Sequence, residues 1–428
     1  MTETPRTRET RPAASASAPQ GRPAQGKVRE TRKPQVRPAT EGWTQQKDAE
    51  GRPLLQFASP KRGKPPVHLA DLTPAERVEK VKELGLPGFR AKQLSTHYFR
   101  HYTSDPEQMT DLPADTREQL VAGMLPPLLT EVRRLETDRG DTIKFLWRLH
   151  DGALVESVLM RYPGRITLCV SSQAGCGMNC PFCATGQAGL TRNMSTAEII
   201  EQIVRANRLI AEGGLGGKKS DDHSMERVSN IVFMGMGEPL ANFDAVWTAV
   251  ERLNHDVGIG ARRITVSTVG IVPGIKRLAA ADLPVNLAVS LHAANDRLRN
   301  RLAPVNRQYP LADLARTLQD YRRAKSRRIS LEWAMIDGVN DSRADAHELA
   351  EFARPLAAHV NLIPLNATPG YPMAPTPPEH IERFAEELRA IGVNATVRAN
   401  RGTDIDAACG QLRAGASVRV AVAPRPRG

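Results

Sequence analysis

Beyond residue 65 the apolar positions keep two rhythms in turn. From residue 69 to about 135 they recur every three or four residues, which predicts a small all-helical region. Thr73 and Pro74 read as the N-cap and first position of one helix, and Gly85 as its C-cap in the turn that leads to the next. A hairpin follows: residues 145–149 and 153–160 are strand-like and joined through Asp151-Gly152, which predicts a two-residue turn. After that, short apolar runs alternate with amphipathic stretches. Strands are expected over 166–171, 228–234, 264–269, 285–291, 329–335, 360–365 and 393–398. Helices are expected over 243–254, about 273–281, 311–325, 343–356 and 378–391. Ser195 to Glu198 spells a capping box, and Ile199, Ile200, Ile203 and Val204 form the buried stripe of the helix it opens. Repeated βα units imply a parallel sheet. About six of them, fewer than the eight of a closed barrel, predict a partial, open (β/α)6 barrel with its site at the C-terminal strand ends.

The fold class is therefore α/β, in four stretches: a disordered basic tail over 1–65, a helical domain over 66–140, the partial barrel with its preceding hairpin over 141–413, and a C-terminal tail over 414–428. The tail is assigned from its Pro, Arg, Ser, Ala and Gln content, which cannot bury enough surface to offset the entropy of ordering it. Charge sharpens this picture. The chain carries 59 Lys+Arg against 47 Asp+Glu, a net +12, and nine basic against three acidic residues fall in the first 40. About half of the excess thus sits in the tail, and the remainder is only mildly basic. A polyanionic partner is favoured. No apolar run approaches the roughly 20 residues of a membrane span, and the N-terminus lacks the apolar core of a signal peptide. The chain is expected to be cytoplasmic, with no membrane association.

Chemistry enters with the cysteines. There are five, and Cys176, Cys180 and Cys183 fall in a C-x3-C-x2-C loop after the first barrel strand. Three thiolates can hold three irons of a cubane and leave the fourth open for a ligand. A zinc site would more often bring paired C-x2-C units, and there is no second pair here. Gly235-Met-Gly237-Glu238-Pro239 follows the second barrel strand; its glycines let backbone approach a ligand, and Glu238 can accept hydrogen bonds from a ligand amine. Ser267, Ser290-Leu291-His292 and Asn366 sit at equivalent strand ends, around the same mouth. Cys169 lies in the first barrel strand and Cys409 near the C-terminus; taken singly, each reads as a small buried hydrophobe. Glu156 interrupts the apolar alternation of its strand.

The C-x3-C-x2-C loop after the first strand of a βα array resembles the radical S-adenosylmethionine superfamily, and the Gly-Glu-Pro stretch resembles its amine-binding motif. More closely, residues 173–186 and 401–412 resemble the dual-specificity rRNA/tRNA adenine-C2 methyltransferases, the RlmN family, with all five cysteines matched and the likeness running from about Leu69 to Leu412. The resemblance implies a radical SAM barrel, a [4Fe-4S] cluster on Cys176, Cys180 and Cys183, and S-adenosylmethionine used twice per turnover. It implies that Gly237, Glu238, Ser267, Ser290, Leu291, His292 and Asn366 hold that ligand. It further implies that Cys409 is methylated, that the S-methyl group is activated by a deoxyadenosyl radical and added to C2 of adenine, that Glu156 takes the C2 proton, and that Cys169 resolves the protein–RNA adduct through a disulfide. The chemistry is coherent, because C2 of adenine has no lone pair with which to attack a sulfonium methyl group directly.

The implied substrates are 23S rRNA at the peptidyl-transferase centre and tRNA at the adenosine next to the anticodon. The implied reductant is a flavodoxin or ferredoxin, and the chain is expected to act as a monomer. Arg90, Lys92 and Arg100 in the helical domain suit RNA, as do Arg262-Arg263, Arg297, Arg299, Arg301, Arg322-Arg323 and Arg327-Arg328. With only 4% aromatic residues, one flipped base is easier to support than extended stacking. Two other readings share the cysteines: a Cfr-type adenine-C8 methyltransferase, and a non-catalytic iron-sulfur or zinc RNA-binding protein. The basic tail has no counterpart in the family pattern, and the Gly- and Lys-containing loop over 212–226 reads as a lengthened one.

Overall fold

The computed structural model describes residues 54–59, 65–216, 226–368 and 370–413. Three helices come first: α1 (Pro74–Glu83), α2 (Arg90–Phe99) and α3 (Ala114–Met124). The first starts as expected. Thr73 Oγ1 accepts from Glu76 N–H at 3.3 Å while Glu76 Oε2 accepts from Thr73 N–H at 2.7 Å, a reciprocal cap with Pro74 behind it. Gly85 closes the helix at φ +76°, where any other side chain would be strained.

The helical pattern does not continue to residue 135. Residues Leu129–Thr137 are a strand, β1, paired antiparallel with β2 (Thr142–Leu149). A bulge between Glu131 and Arg133 breaks the two-residue alternation. Leu129, Val132 and Leu135 thereby fall three apart, the spacing of a helix face. This strand joins the main sheet, and α1–α3 pack with that sheet as one compact unit. A boundary at residue 140 therefore does not separate helices from sheet. Tyr98 donates to Glu201 at 2.6 Å and Arg77 pairs with Asp256 at 2.7 Å, so α1 and α2 are tied to the barrel.

β2 turns into β3 (Leu154–Tyr162) through His150, Asp151 and Gly152, three residues where two were expected. Leu149 N–H donates to Ala153 O, and Gly152, at φ +83°, supplies the left-handed corner. Then follow β4 (Arg165–Cys169), the short pair β5 (Gln173–Gly175) and β6 (Leu190–Asn193) with α4 (Ala184–Ala188) between them, and α5 (Thr196–Ala211). The array continues with β7 (Asn230–Phe233), α6 (Phe243–Arg252), β8 (Ile264–Thr268), α7 (Val272–Ala280), β9 (Asn286–Ser290), α8 (Asp296–Leu302) and α9 (Leu311–Lys325). It ends with β10 (Ile329–Met335), α10 (Arg343–Ala353), β11 (His359–Pro364), α11 (Pro378–Ala390) and β12 (Asn394–Val397).

Ten strands form one sheet in the order β1-β2-β3-β4-β7-β8-β9-β10-β11-β12. The first four are antiparallel; from β4 onward every pairing is parallel. The sheet is open at β1 and β12, as a partial barrel requires. Its outer face is covered by helix stripes: Ile199, Ile200, Ile203 and Val204 of α5 are fully buried, each worth roughly 1.5–3 kcal/mol of apolar burial. Among the described residues no helix is long and apolar enough to cross a membrane.

Part of the stretch expected to be disordered is seated. Gln56 N–H donates to Gly177 O at 2.9 Å, Asn179 Nδ2 donates to Leu54 O at 3.3 Å, and Phe57 packs against the core. Residues 54–59 therefore run across the cysteine loop. Their composition is polar enough to hide this, because the seating is mostly backbone hydrogen bonding. The basic tail before residue 54, most of the loop over 212–226, and the tail over 414–428 lie outside the described residues.

Candidate active site

The parallel strands deliver their C-terminal ends to one cavity. The loop after β4 brings Cys176, Cys180 and Cys183, the turn after β7 brings Gly237 and Glu238, and β8 and β9 end in Ser267 and Ser290. His292 follows β9, Asn366 follows β11, and Cys409 comes from the segment after β12. Ten of the thirteen residues singled out from the sequence thus line one wall-to-wall site. The other three lie elsewhere. Leu291 is fully buried in the core and offers the site only backbone: its N–H donates to Glu332 O and its carbonyl accepts from Arg299. Cys169 and Glu156 occupy two neighbouring pockets.

The cysteine loop is fixed by its own backbone. Cys176 N–H donates to Gly189 O at 2.9 Å, and Cys183 N–H donates to Cys180 O at 3.2 Å. Burial pushes all three thiols up; at Cys183 the amides of Gly186 and Thr185 and the Thr185 hydroxyl pull the other way. Buried thiolates of this kind need positive charge to persist, which a metal cluster brings. Among the described residues no three His, Cys, Asp or Glu side chains gather tightly enough to clasp one metal ion, and the thiols instead share the wall of a larger cavity. The donor set fits an iron-sulfur cluster with one iron left to a ligand. Phe182 lies edge-on to His292, with ring centroids 4.8 Å apart, and closes the cavity beside the loop.

Glu238 sits where a ligand amine could meet it. A Cβ on Gly235 would lie 2.6 Å from Val170 O, and one on Gly237, at φ +106°, 2.6 Å from Gln173 Cβ, so this turn can pass only as glycine. Glu238 is buried; Oε1 accepts from Leu240 N–H at 3.0 Å and Oε2 from Val269 N–H at 2.9 Å. Burial raises its pKa to about 7 against those two bonds and a third from the Thr268 side chain. A carboxylate offers about four acceptor positions, so one remains for a ligand N–H group. His292 adopts φ +59° and its Nδ1 accepts from Ala334 N–H at 3.0 Å. Burial, and then Arg299, lower its pKa to about 3, so it is neutral with the proton on Nε2. Asn366 is engaged from both sides: Nδ2 donates to Cys409 O at 3.0 Å and Oδ1 accepts from Asn400 at 2.8 Å.

The second pocket joins Cys169 and Cys409, both free thiols. Burial pushes Cys169 up to about 12, with Cys409 adding to the effect. Arg398 lines this pocket and the main cavity alike; Cys409 is the largest cause that raises its pKa. Its guanidinium lies 3.8 Å from Glu332 Oε2. Sequence reasoning missed both. Arg398 follows the last strand, so the strand-end criterion that found Asn366 applied to it. Glu332 is a charge inside the apolar run Ile329–Met335, the same signal that marked Glu156.

Glu156 lies in the third pocket. Its Oε2 accepts from Arg413 N–H at 2.8 Å and its Oε1 lies 3.3 Å from Lys144 Nζ. Burial raises its pKa, opposed by Lys144. One of the basic residues is also misplaced as an RNA contact: Arg299 is fully buried and donates to the carbonyls of Leu291 and Val269 and to Asn306 Oδ1. Arg297 and Arg301, on the same helix, are exposed.

Residues 170–353 match the family model described as Radical SAM superfamily. A Nocardioides protein named probable dual-specificity RNA methyltransferase RlmN is 55% identical over 369 residues, covering 84% of this chain and 96% of that protein. A Thermobifida fusca protein of the same name is 53% identical over 364 residues, with 84% and 98% covered. The crystal structure of a radical SAM methyltransferase from Sphaerobacter thermophilus matches with a TM-score of 0.77 at 48% identity, covering 82% of this chain and all of that one. At this identity and coverage, the chain belongs to the RlmN family of radical SAM RNA methyltransferases.

Proposed function

We propose that this chain methylates C2 of adenine in 23S rRNA and in tRNA, through an S-methylcysteine on Cys409 and a transient protein–RNA adduct. The observation that carries the reading is the pocket shared by Cys169 and Cys409 beside the cysteine-lined cavity. When bound, the [4Fe-4S] cluster and S-adenosylmethionine supply a deoxyadenosyl radical. Cys176, Cys180 and Cys183 would hold the first, and Glu238, Gly237, Ser267, Ser290, His292 and Asn366 the second. The chain's own part begins at Cys409, whose thiolate takes the methyl group of one S-adenosylmethionine as the methyl–sulfonium bond breaks and S-adenosylhomocysteine leaves. The S-methyl group that Cys409 then carries is the carbon that would be activated by that radical and joined to C2. Glu156 accepts the C2 proton; its burial raises the proton affinity, as that role needs. Cys169 then forms a disulfide with Cys409 and frees the methylated base.

The two cysteines divide the labour by environment. A thiol pushed up to about 12 stays protonated and does not compete for the methyl group. Cys409 is less buried. Arg297 and Arg301, exposed on the helix that follows β9, suit RNA phosphates. An electron donor of the flavodoxin or ferredoxin class, a monomeric state and a cytoplasmic setting complete the proposal. The relatives' names favour this reading over C8 methylation. The test is to incubate anaerobic protein with reductant, S-adenosylmethionine and RNA, then digest the RNA for mass spectrometry. 2-Methyladenosine with 5′-deoxyadenosine is expected; 8-methyladenosine, or no modified base, overturns the proposal.

A further inference from the structure

The segment that carries Cys409 is held from two sides. On the barrel side Asn366 donates to Cys409 O, Ala184 N–H to Gly410 O at 2.8 Å, and Thr185 Oγ1 to Leu412 O at 2.5 Å. On the opposite side the antiparallel strands hold it, and there one cation joins two of the contacts. Lys144, on β2, donates to Asp406 O at 3.1 Å and lies 3.3 Å from Glu156 Oε1. Glu156 in turn accepts from Arg413 N–H at 2.8 Å. Lys144 therefore reaches both ends of the short stretch between Asp406 and Arg413, at whose middle Cys409 stands.

From this geometry we infer that Lys144 is a positioning residue for the methyl-carrying cysteine, acting through Asp406 and Glu156. The inference rests on the reading of Cys409 above. A role in the sheet alone does not account for Lys144. Its side chain is buried, and what it faces is polar: Glu156, Asp406 and Arg413 line the same pocket. Buried ion pairs add little net stability but leave a costly unpaired charge when one partner goes, so their best-attested use is to fix one geometry. Asp406 adopts φ +54°, in the left-handed region, and two contacts fix the turn there: the Lys144 ammonium on its carbonyl and the Ala407 N–H to Gly402 O bond at 2.8 Å.

The test uses the full-length holoenzyme with Lys144→Met, which keeps length and packing but removes the donor and charge, and Lys144→Arg, which restores both. Two readouts separate positioning from folding. The first is the rate at which iodoacetamide alkylates Cys409, mapped by mass spectrometry. Losing a charged hydrogen bond should raise this rate about tenfold in Lys144→Met, while Cys169 and S-adenosylmethionine affinity stay unchanged and Lys144→Arg returns toward the parent. The second is methylated base formed per 5′-deoxyadenosine, which should fall about as much as the loop loosens. Unchanged Cys409 alkylation together with unchanged coupling in Lys144→Met overturns the inference. Should that variant fail to fold, Lys144→Gln keeps a donor without the charge, and its alkylation rate, expected between parent and tenfold, decides the matter in the same way. If the parent protein never methylates Cys409, the functional reading falls, and the alkylation arm still reports whether Lys144 holds the segment.

Discussion

Cys169, the last residue of β4, and Cys409, on the segment after β12, line one small pocket, although they come from opposite ends of the parallel array. In the proposed scheme Cys409 acts first and Cys169 last. Cys409→Ala should form neither methylcysteine nor methylated RNA. Cys169→Ala should still methylate Cys409 and reach the base, then stall, because the thiol that cuts the tether is gone. A slow band under denaturing conditions that survives reductant is the expected readout. The double variant should show no such band. Effects should not add, since the two residues act in sequence on one intermediate. Normal turnover by Cys169→Ala would remove Cys169 from the scheme.

Glu238 predicts a pH dependence of ligand binding. Its carboxyl is raised from the ordinary value to about 7 by burial, so it is mostly neutral at pH 6 and anionic at pH 8. Only the anion accepts strongly from ligand N–H groups. S-adenosylmethionine affinity should therefore improve as pH rises through 7, by roughly tenfold between pH 6 and 8 for one titrating group. Glu238→Gln, measured at the same two pH values, carries the ligand's own amine titration and not the carboxylate's. Its affinity should be weaker by about ten- to hundredfold at pH 8, with the rise between the two pH values lost. Calorimetry that finds the same slope in parent and variant would take Glu238 out of the pocket.

How far the sequence could be read depended on whether each signal was local. The cysteine loop, the glycines around Glu238 and the capping box at Ser195 are spelled within a few residues, and each folds where its spelling puts it. The strands from β7 onward are apolar runs with no competing pattern. β1 was hidden because its bulge turned a two-residue rhythm into a three-residue one. The seat of residues 54–59 was hidden because backbone groups make it. Arg299 read as surface because an arginine's spelling carries no sign of the carbonyls that will surround it. The Cys169–Cys409 pocket is a long-range product of the array, and only family resemblance paired the two in advance.

Arg299 supplies a stability prediction. It is fully buried, and its guanidinium joins the ends of β8 and β9 through Val269 O at 2.6 Å and Leu291 O at 3.2 Å, with Asn306 Oδ1 at 2.8 Å. Arg299→Met fills similar volume but leaves those acceptors in a dry interior. The loss should be about 3 kcal/mol or more, read as a shifted urea midpoint with unchanged slope. A variant as stable as the parent would mean that water replaces the guanidinium there.

The last prediction concerns Gly177, which lies between Cys176 and Cys180. A Cβ there would stand 2.0 Å from the carbonyl oxygen of Gln56, far inside any real contact, so Gly177→Ala must move backbone on one side or the other. Gly177 is not in the left-handed region, so the backbone itself tolerates alanine and the clash is the whole effect. Either residues 54–59 lift off or the cysteine loop shifts, and the two are separable. If the strap lifts, reconstituted protein should keep about four irons but lose them to a chelator faster than the parent, and deletion of residues 1–59 should behave the same way. If the loop shifts, iron content itself should fall. In both cases the clash needs the strap, so Gly177→Ala placed in the deleted chain should be silent. A defect that persists there would show that Gly177 matters to the cysteines for a reason other than its contact with Gln56.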